Sequence, residues 1–493
     1  MVIMSKKTSL IILILVSIGV HFAFFGHPNE TVFDEVHFGK FVSAYYTHEY
    51  YFDIHPPGGK LIIAGFSKLF NFSPEYSFAQ IGQSFPDNKY LALRFLPVLA
   101  GALLSIVIYF LALELGLSAI GAFGAGMLIA LENALLTQSR YILMDPFLLL
   151  FGFAGLLFYF KYRSRFYNSV LIPNSYFLIP ASIFFGLSMS IKWTGIAFLG
   201  LAGVIELVTI LGYGIRDKYY GVQNIFKQLP KLALYFIVIP LTLYFSIFVI
   251  HFSLLTKSGD GDAFMTPAFQ SSLQGSDYAN DLSIKPLNIF QKFIELNQEM
   301  YTANATLTAT HPYSSKWYTW PFMIRPIYYW NHSAPTEFPG SDWDPTPRTA
   351  ASGSAQIAES KIYFIGNPII WWASTIAILY LVLSSMGDWI SKFKKKPISL
   401  NIVPLILIGG YFLNYLPFVG IGRVMFLYHY LSALIFAILA LAYLIDQQKN
   451  RRNILIGLIV LASLAFLYFA PLSYGLPLEA GSFQNRLWLT SWQ

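Results

Sequence analysis

Thr8-Ser9-Leu10-Ile11-Ile12-Leu13-Ile14-Leu15-Val16-Ser17-Ile18-Gly19-Val20-His21-Phe22-Ala23-Phe24-Phe25 is an apolar run led by Lys6-Lys7, and the acid pair Asp34-Glu35 stands close behind it. Crossing a hydrocarbon layer takes roughly 20 mostly apolar residues, so the run reads as a first transmembrane helix. A secretory signal begins with the same basic residues and apolar centre. Here no small-x-small cleavage site follows, and Phe22, Phe24 and Phe25 prolong the apolar run, so the helix is expected to be retained.

Outward from this run, about eleven stretches have the length and apolarity of spans: 8–25, 92–113, 118–137, 146–160, 174–190, 194–213, 232–251, 367–386, 402–419, 424–445 and 454–471. The chain of 493 residues is 56% hydrophobic and only 12% charged, half the charge of a typical soluble protein. A soluble globular enzyme and a disordered scaffold are both excluded. Cysteine is absent, so neither a disulfide nor a thiolate enters the chemistry. With the N-terminus cytoplasmic, the loops 1–7, 114–117, 161–173, 214–231, 387–401 and 446–453 fall inside. They hold 16 of the 32 Lys and Arg residues, so the inner half carries +11 and the outer half −4. That asymmetry follows the positive-inside rule, and it gives the net +7 a topological meaning with no nucleic acid implied.

Two outer loops are long, 26–91 and 252–366. In the first, Phe33, Phe38, Phe41 and Tyr45 recur at helical spacing, which predicts short interfacial helices with their aromatic faces against lipid. Ionisable groups gather at the outer ends of the spans: Asp34, Glu35, His37, Asp53, His55, Lys60, Arg94, Glu132, Arg140, Asp145, Lys192, Arg423 and His429. Each has a plainer reading. Arg94, Arg140 and Lys192 could snorkel to headgroups, Arg140 and Asp145 could form a structural pair, His429 could be a core histidine, and Glu132 could stabilise helix packing. His55-Pro56-Pro57-Gly58-Gly59 could be only a rigid turn. Together, a set of cations and a carboxylate suits transfer from an anionic lipid carrier: cations stabilise a departing phosphate while a carboxylate deprotonates an incoming hydroxyl. A carrier or channel places its charges at the midplane instead, and Glu206 is the main acid within a span.

The stretches Val32–Phe41 and Tyr51–Lys60 closely resemble the first outer loop of the protein O-mannosyltransferases, membrane glycosyltransferases of the GT-C class and glycosyltransferase family 39. Ile81–Pro86, Leu93-Arg94-Phe95, Glu132-Asn133, Ser139–Asp145, Ser190–Gly195, His311–Trp317, Gly366-Asn367-Pro368, Trp371-Trp372 and Arg423 to Tyr430 continue the resemblance in order. It implies an all-α polytopic GT-C fold, and an inverting enzyme moving mannose from a polyprenyl or dolichyl phosphate to Ser or Thr hydroxyls of secreted proteins. Asp34 carries over as the base, and Glu35 with it as a catalytic residue. Arg94 matches a position needed for activity; Arg140, Lys192, Arg423 and His429 are expected to contact the carrier phosphate, with Asp53, His55, Asp145 and His311 in support.

Three departures stand out. The loop 252–366 is too short for the β-trefoil MIR domain that eukaryotic members commonly carry there. His21 occupies a position where the family often has a functional Arg, and Gly58 stands where Leu is usual, which predicts a looser turn. The expected organisation is a catalytic membrane module 1–251, an outer loop 252–366, and a C-terminal helical region 367–493. Neither a cofactor nor a metal is expected; Asp260, Asp262, Asp277 and Asp281 match no calcium spacing. The expected partners are the lipid-linked donor, membrane lipids, acceptor proteins and a possible dimer mate. The active site is expected to face outward from the plasma membrane of a prokaryote, or into the lumen of the endoplasmic reticulum in a eukaryote. The alternatives are a GT-C transferase acting on a lipid or glycan, and a transporter of lipid-linked sugar.

Overall fold

An apolar segment in lipid has no water to satisfy its backbone, so it closes its hydrogen bonds within itself as a helix. In the computed structural model, the eleven apolar stretches are mostly helical over their described residues. The structure describes residues 5–168, 175–216, 229–334, 358–392, 402–479 and 481–493. Eight helices among them are long and apolar enough to cross a membrane. Those within the first half are α4 (Tyr90–Glu114), α7 (Asp145–Asn168), α9 (Ile196–Arg216) and the segment Leu229–Leu254 that ends in α10 (Ile239–Leu254). The basic tract Lys394–Lys396, like Lys218 and Lys227, lies outside the described residues.

The other three stretches are shorter or broken. Helix α1 (Lys6–Phe22) has 17 residues and α8 (Leu178–Ile191) has 14. Between α5 (Ala119–Ala130) and α6 (Asn133–Ser139) the chain bends by 57°. Glu132 sits at the bend, where its carboxylate accepts from the amide of Ala134, capping α6, and from the amide of Asn367 at 2.9 Å. The packing reading of Glu132 is the one the geometry supports. Glu206 is likewise a packing acid: it accepts from Tyr159 at 2.8 Å and from Arg163 at 2.9 Å, tying α9 to α7.

The first long loop, 26–91, contains α2 (Glu35–Thr47) and α3 (Gly58–Ser67). Its aromatic face is present but turned the other way from the expectation. Phe33, Phe38 and Tyr45 are buried in the protein, and Phe41 stacks on Tyr51 at 4.6 Å. Helical spacing identifies an apolar stripe, not whether lipid or protein covers it. Gly58 also differs from expectation. A Cβ there would lie 2.7 Å from the Ser190 carbonyl oxygen, so glycine permits a close approach of α3 to the end of α8 and does not loosen the turn.

The second long loop, 252–366, holds α11 (Pro267–Gln270), α12 (Ile289–Thr306), β1 (Ile327–Ala334) and β2 (Ala358–Phe364). After α13 (Pro368–Lys392), α14 (Ile402–Tyr415), α15 (Leu431–Asp446) and α16 (Arg451–Tyr474), the short strand β3 (Pro477–Leu478) pairs antiparallel with β2, giving the order β1-β2-β3. This small sheet is an addition to the all-α expectation. Its signals are the β-branched and aromatic runs Ile327-Tyr328-Tyr329-Trp330 and Ile362-Tyr363-Phe364. Because β3 belongs to the tail, the expected boundary at 366/367 cuts through one sheet. A bulge between Tyr328 and Trp330 turns the Tyr329 carbonyl outward to accept from the Phe33 amide at 3.2 Å, so the sheet reaches the residue before Asp34.

Candidate active site

Asp34 and Glu35 are neighbours with opposite environments. Glu35 is fully buried and all its acceptor positions are used: the amides of Val32 (2.8 Å) and Ile142 (2.9 Å) donate to it, and so does Arg94 through Nε (2.7 Å) and Nη2 (2.6 Å). Arg94 spends its remaining donors on the carbonyls of Gly26, Pro28 and Glu30. A guanidinium has five N–H groups, and all five are committed. Arg94 therefore has no donor left for a phosphate, and Glu35 has no lone pair facing a substrate. Together they clamp the start of the loop 26–91 onto α4.

Asp34 stands at the head of α2, half-buried, and its carboxylate accepts no hydrogen bond from the described residues. Burial pushes its carboxyl up to about 7; Lys192 pulls against this, while Asp145 and Asp53 add to it. The charged neighbours are themselves paired. Lys192 donates to both oxygens of Asp145, at 2.8 and 3.0 Å, and lies 5.2 Å from the Tyr428 ring centre. Lys60 donates to Asp53 and, at 2.9 Å, to the His55 carbonyl. An ammonium has three donors, so Lys192 keeps one for a ligand.

The His55 imidazole has no hydrogen-bond partner among the described residues. It is held well below the ordinary range by burial and then by Lys192, Lys60, Arg423 and His429, so it stays neutral. His429 is oriented by the Phe426 backbone, its Nδ1 accepting from the Phe426 amide at 3.1 Å, which leaves Nε2–H as the free donor, and it stacks on Tyr428 at 4.6 Å. Arg423 is half-buried and forms no hydrogen bond or ion pair within the described residues. His311 packs edge-on against Phe426 at 5.0 Å, buttressing the loop that carries Arg423 without reaching Asp34. The structure thus gathers Asp34, Asp53, His55, Asp145, Lys192, Arg423 and His429.

Arg140 falls outside this group. Its Nη1 donates to the carbonyls of His21 (3.3 Å) and Ala23 (2.7 Å) and its Nη2 to that of Phe24 (2.6 Å), beneath the Tyr474 ring. It secures the carbonyl end of α1, and its buried Nε has no hydrogen-bond partner among the described residues. His21 is buried at the same junction, with Nδ1 2.9 Å from the Ser17 carbonyl.

Two residues of the site were missed from sequence. Tyr329 donates to the side-chain oxygen of Gln138 at 2.5 Å, and Gln138 donates in turn to Asp145 at 2.7 Å. Tyr329 also stacks on Phe33, ring centres 3.9 Å apart. Only the polarity of Gln138 between buried residues hinted at this relay; Tyr329 lies too far along the chain for any spacing to reveal it.

A family model described as dolichyl-phosphate-mannose-protein mannosyltransferase matches residues 11–256, and one described as the C-terminal four-transmembrane region of protein-O-mannosyltransferase matches residues 289–492. The chain belongs to the protein O-mannosyltransferase family. Among members, Protein O-mannosyltransferase 1 of Drosophila melanogaster is 37% identical over 269 residues, covering 53% of this chain and 30% of the fly protein. The chain therefore spans less than a third of that relative's length. Dolichyl-phosphate-mannose--protein mannosyltransferase 1 of Saccharomyces cerevisiae is 23% identical over 687 aligned positions, covering 94% of this chain and 80% of the yeast protein. Those positions outnumber the 493 residues here, so the yeast protein carries insertions without counterpart in this chain. The fold matches the solved S. cerevisiae protein O-mannosyltransferase Pmt1-Pmt2 complex bound to the sugar donor, with a TM-score of 0.87, 22% identity, and coverage of 100% of this chain and 93% of that one. Membership and the apolar helices make the chain an integral membrane protein of the protein O-mannosyltransferase fold.

Because Arg423 has no hydrogen bond or ion pair among the described residues, it is the cation whose removal tests anion binding at this cluster most cleanly. Arg423→Ala is expected to raise the KM for a lipid-phosphate donor by about 10- to 100-fold, the worth of a charge-assisted hydrogen bond. The unfolding midpoint is expected to stay unchanged, because no hydrogen bond or ion pair among the described residues is lost.

Proposed function

We propose that this chain is an inverting mannosyltransferase that moves mannose from a polyprenyl or dolichyl phosphate to Ser or Thr hydroxyls of proteins at the extracytoplasmic face. The observation that carries the proposal is the unpaired Asp34 carboxylate beside the converging cations Lys192 and Arg423 and the neutral His55. In the reaction, the acceptor hydroxyl oxygen bonds to the anomeric carbon as the bond from that carbon to the phosphate oxygen breaks. The hydroxyl proton passes to Asp34, and the bonding pair leaves with the phosphate. Lys192, through its free donor, and Arg423 meet the growing negative charge, while Nε2 of His429 is available to orient the phosphate. Asp145 and Asp53 hold Lys192 and Lys60, and the Gln138–Tyr329 relay holds Asp145.

The charge asymmetry of the loops supports a cytoplasmic N-terminus and an outward-facing site. A yeast member works in a two-subunit complex, which supports pairing with a second subunit here. Purified chain in bilayers, given polyprenyl-phosphate mannose and a Ser/Thr peptide, is expected to mannosylate the peptide, and the same peptide with Ala at every Ser and Thr is expected to remain unmodified. Transfer to lipid alone would instead establish the lipid-acceptor reading, and carrier flipping without transfer the transporter reading.

A further inference from the structure

Helix α12 lies in the second long loop, yet it presents three different faces at helical spacing. Phe293, Leu296 and Met300 pack inward: Phe293 meets Phe245 and Phe248 of α10 at 5.1 Å each, and Leu296 and Met300 are buried. Lys292, Glu295 and Glu299 form a charged face, on which Glu295 accepts from the amide and hydroxyl of Thr266 at 2.8 and 2.9 Å. The third stripe holds Phe290, Ile294 and Tyr301, which are 57%, 39% and 67% exposed. Residues at i, i+4 and i+11 share one helical line; these three are apolar and uncovered, while Asn297, at the inward edge of the line, is half-buried on Tyr244.

What covers it follows from where α12 crosses the span. Phe290 lies 6.3 Å from Phe245, nine residues before the outer end of α10, which puts the contact about 13 Å along the helix from that end. One turn further inward on the same side of α10, Leu241 is exposed as well. The uncovered stripe of α12 is therefore continuous with the lipid-facing side of a transmembrane helix, and the charges of α12 lie on another side. An amphipathic helix with this division lies in the membrane interface, with its apolar face about 5–10 Å into the headgroup and acyl boundary.

We propose that α12 is an interfacial helix whose Phe290–Ile294–Tyr301 stripe is seated in the acyl chains of the outer leaflet. From that seat it reaches both walls of the site. Asn297 accepts from Tyr244 at 2.6 Å and Tyr244 accepts from Trp193, the neighbour of Lys192, at 2.9 Å. At the other end Asn304 donates to the Ile54 carbonyl, beside His55, at 3.0 Å. The outer leaflet thus holds the helix against which the Lys192 turn and the His55 loop rest.

The chain has no cysteine, so single-cysteine variants can be spin-labelled without background. Phe290→Cys and Ile294→Cys on one stripe, and Glu299→Cys and Thr302→Cys away from it, are labelled with a nitroxide in chain reconstituted into phosphatidylcholine vesicles. Collisions with dissolved oxygen, which concentrates in lipid, and with a water-soluble nickel chelate are then measured. Labels at 290 and 294 are expected to be several-fold more accessible to oxygen than to nickel, with the order reversed at 299 and 302. Equal nickel access at all four positions would overturn the proposal. So would dipolar broadening between labels at 290, which would mean that a second copy of the chain covers the stripe.

Discussion

Asp34→Asn is expected to slow mannosyl transfer by about 10²- to 10⁴-fold, the usual contribution of a positioned general base. The substitution keeps the shape of the side chain and removes its ability to accept a proton. No hydrogen bond from the described residues depends on the carboxylate, so the fold is expected to survive intact. The pH dependence gives a second check on the same residue. With the carboxyl pushed up to about 7 by burial, the base becomes active as it ionises, so the wild-type rate is expected to rise with pH through about 7 and then level. The sign for stability is opposite. A carboxyl whose pKa is raised on folding favours the folded state while protonated, and that advantage is lost as pH rises through the raised value. Above pH 7, Asp34→Asn is therefore expected to hold or raise the unfolding midpoint while activity collapses. Undiminished transfer by the Asn variant would remove Asp34 from the mechanism.

Arg94→Ala is expected to produce the largest loss of stability, about 3–5 kcal/mol. That is the cost of removing one partner from a buried ion pair and leaving the other uncompensated. Three carbonyls, of Gly26, Pro28 and Glu30, lose their donors in the same step. Denaturant unfolding in detergent measures the loss. The KM for donor, taken on the fraction that remains folded, separates the two roles considered for this arginine. It is expected to stay near wild type, whereas a phosphate contact would raise it as Arg423→Ala does.

The contrast between Arg94 and Arg423 marks how far the sequence could be read. The eleven apolar stretches are mostly helical over their described residues, 118–137 as a bent pair, because hydropathy registers the solvent and the solvent dictates the backbone. The same reading brought Asp34, His55, Lys192, Arg423 and His429 to one side of the bilayer, and the structure brings them together. It could not say what each cation faces. An arginine near the outer end of a span looks the same in sequence whether it meets a phosphate, a carboxylate or three carbonyls. Arg94 meets the Glu35 carboxylate and three carbonyls and Arg140 meets three others, while Arg423 is free of hydrogen bonds and ion pairs among the described residues. Helical spacing had the same limit for Phe33, Phe38 and Tyr45, whose stripe is real but covered by protein. Tyr329 was beyond reach for another reason: it arrives 191 residues after Gln138, by way of a β-bulge.

The stereochemistry of the product tests the account most directly. A hydroxyl activated by Asp34 and displacing the phosphate in one step inverts the anomeric carbon, so a mannosyl peptide made from a donor of known configuration is expected to show the opposite anomer by NMR. A product of retained configuration would require a covalent sugar intermediate on the enzyme and would contradict Asp34 as the base of a direct displacement.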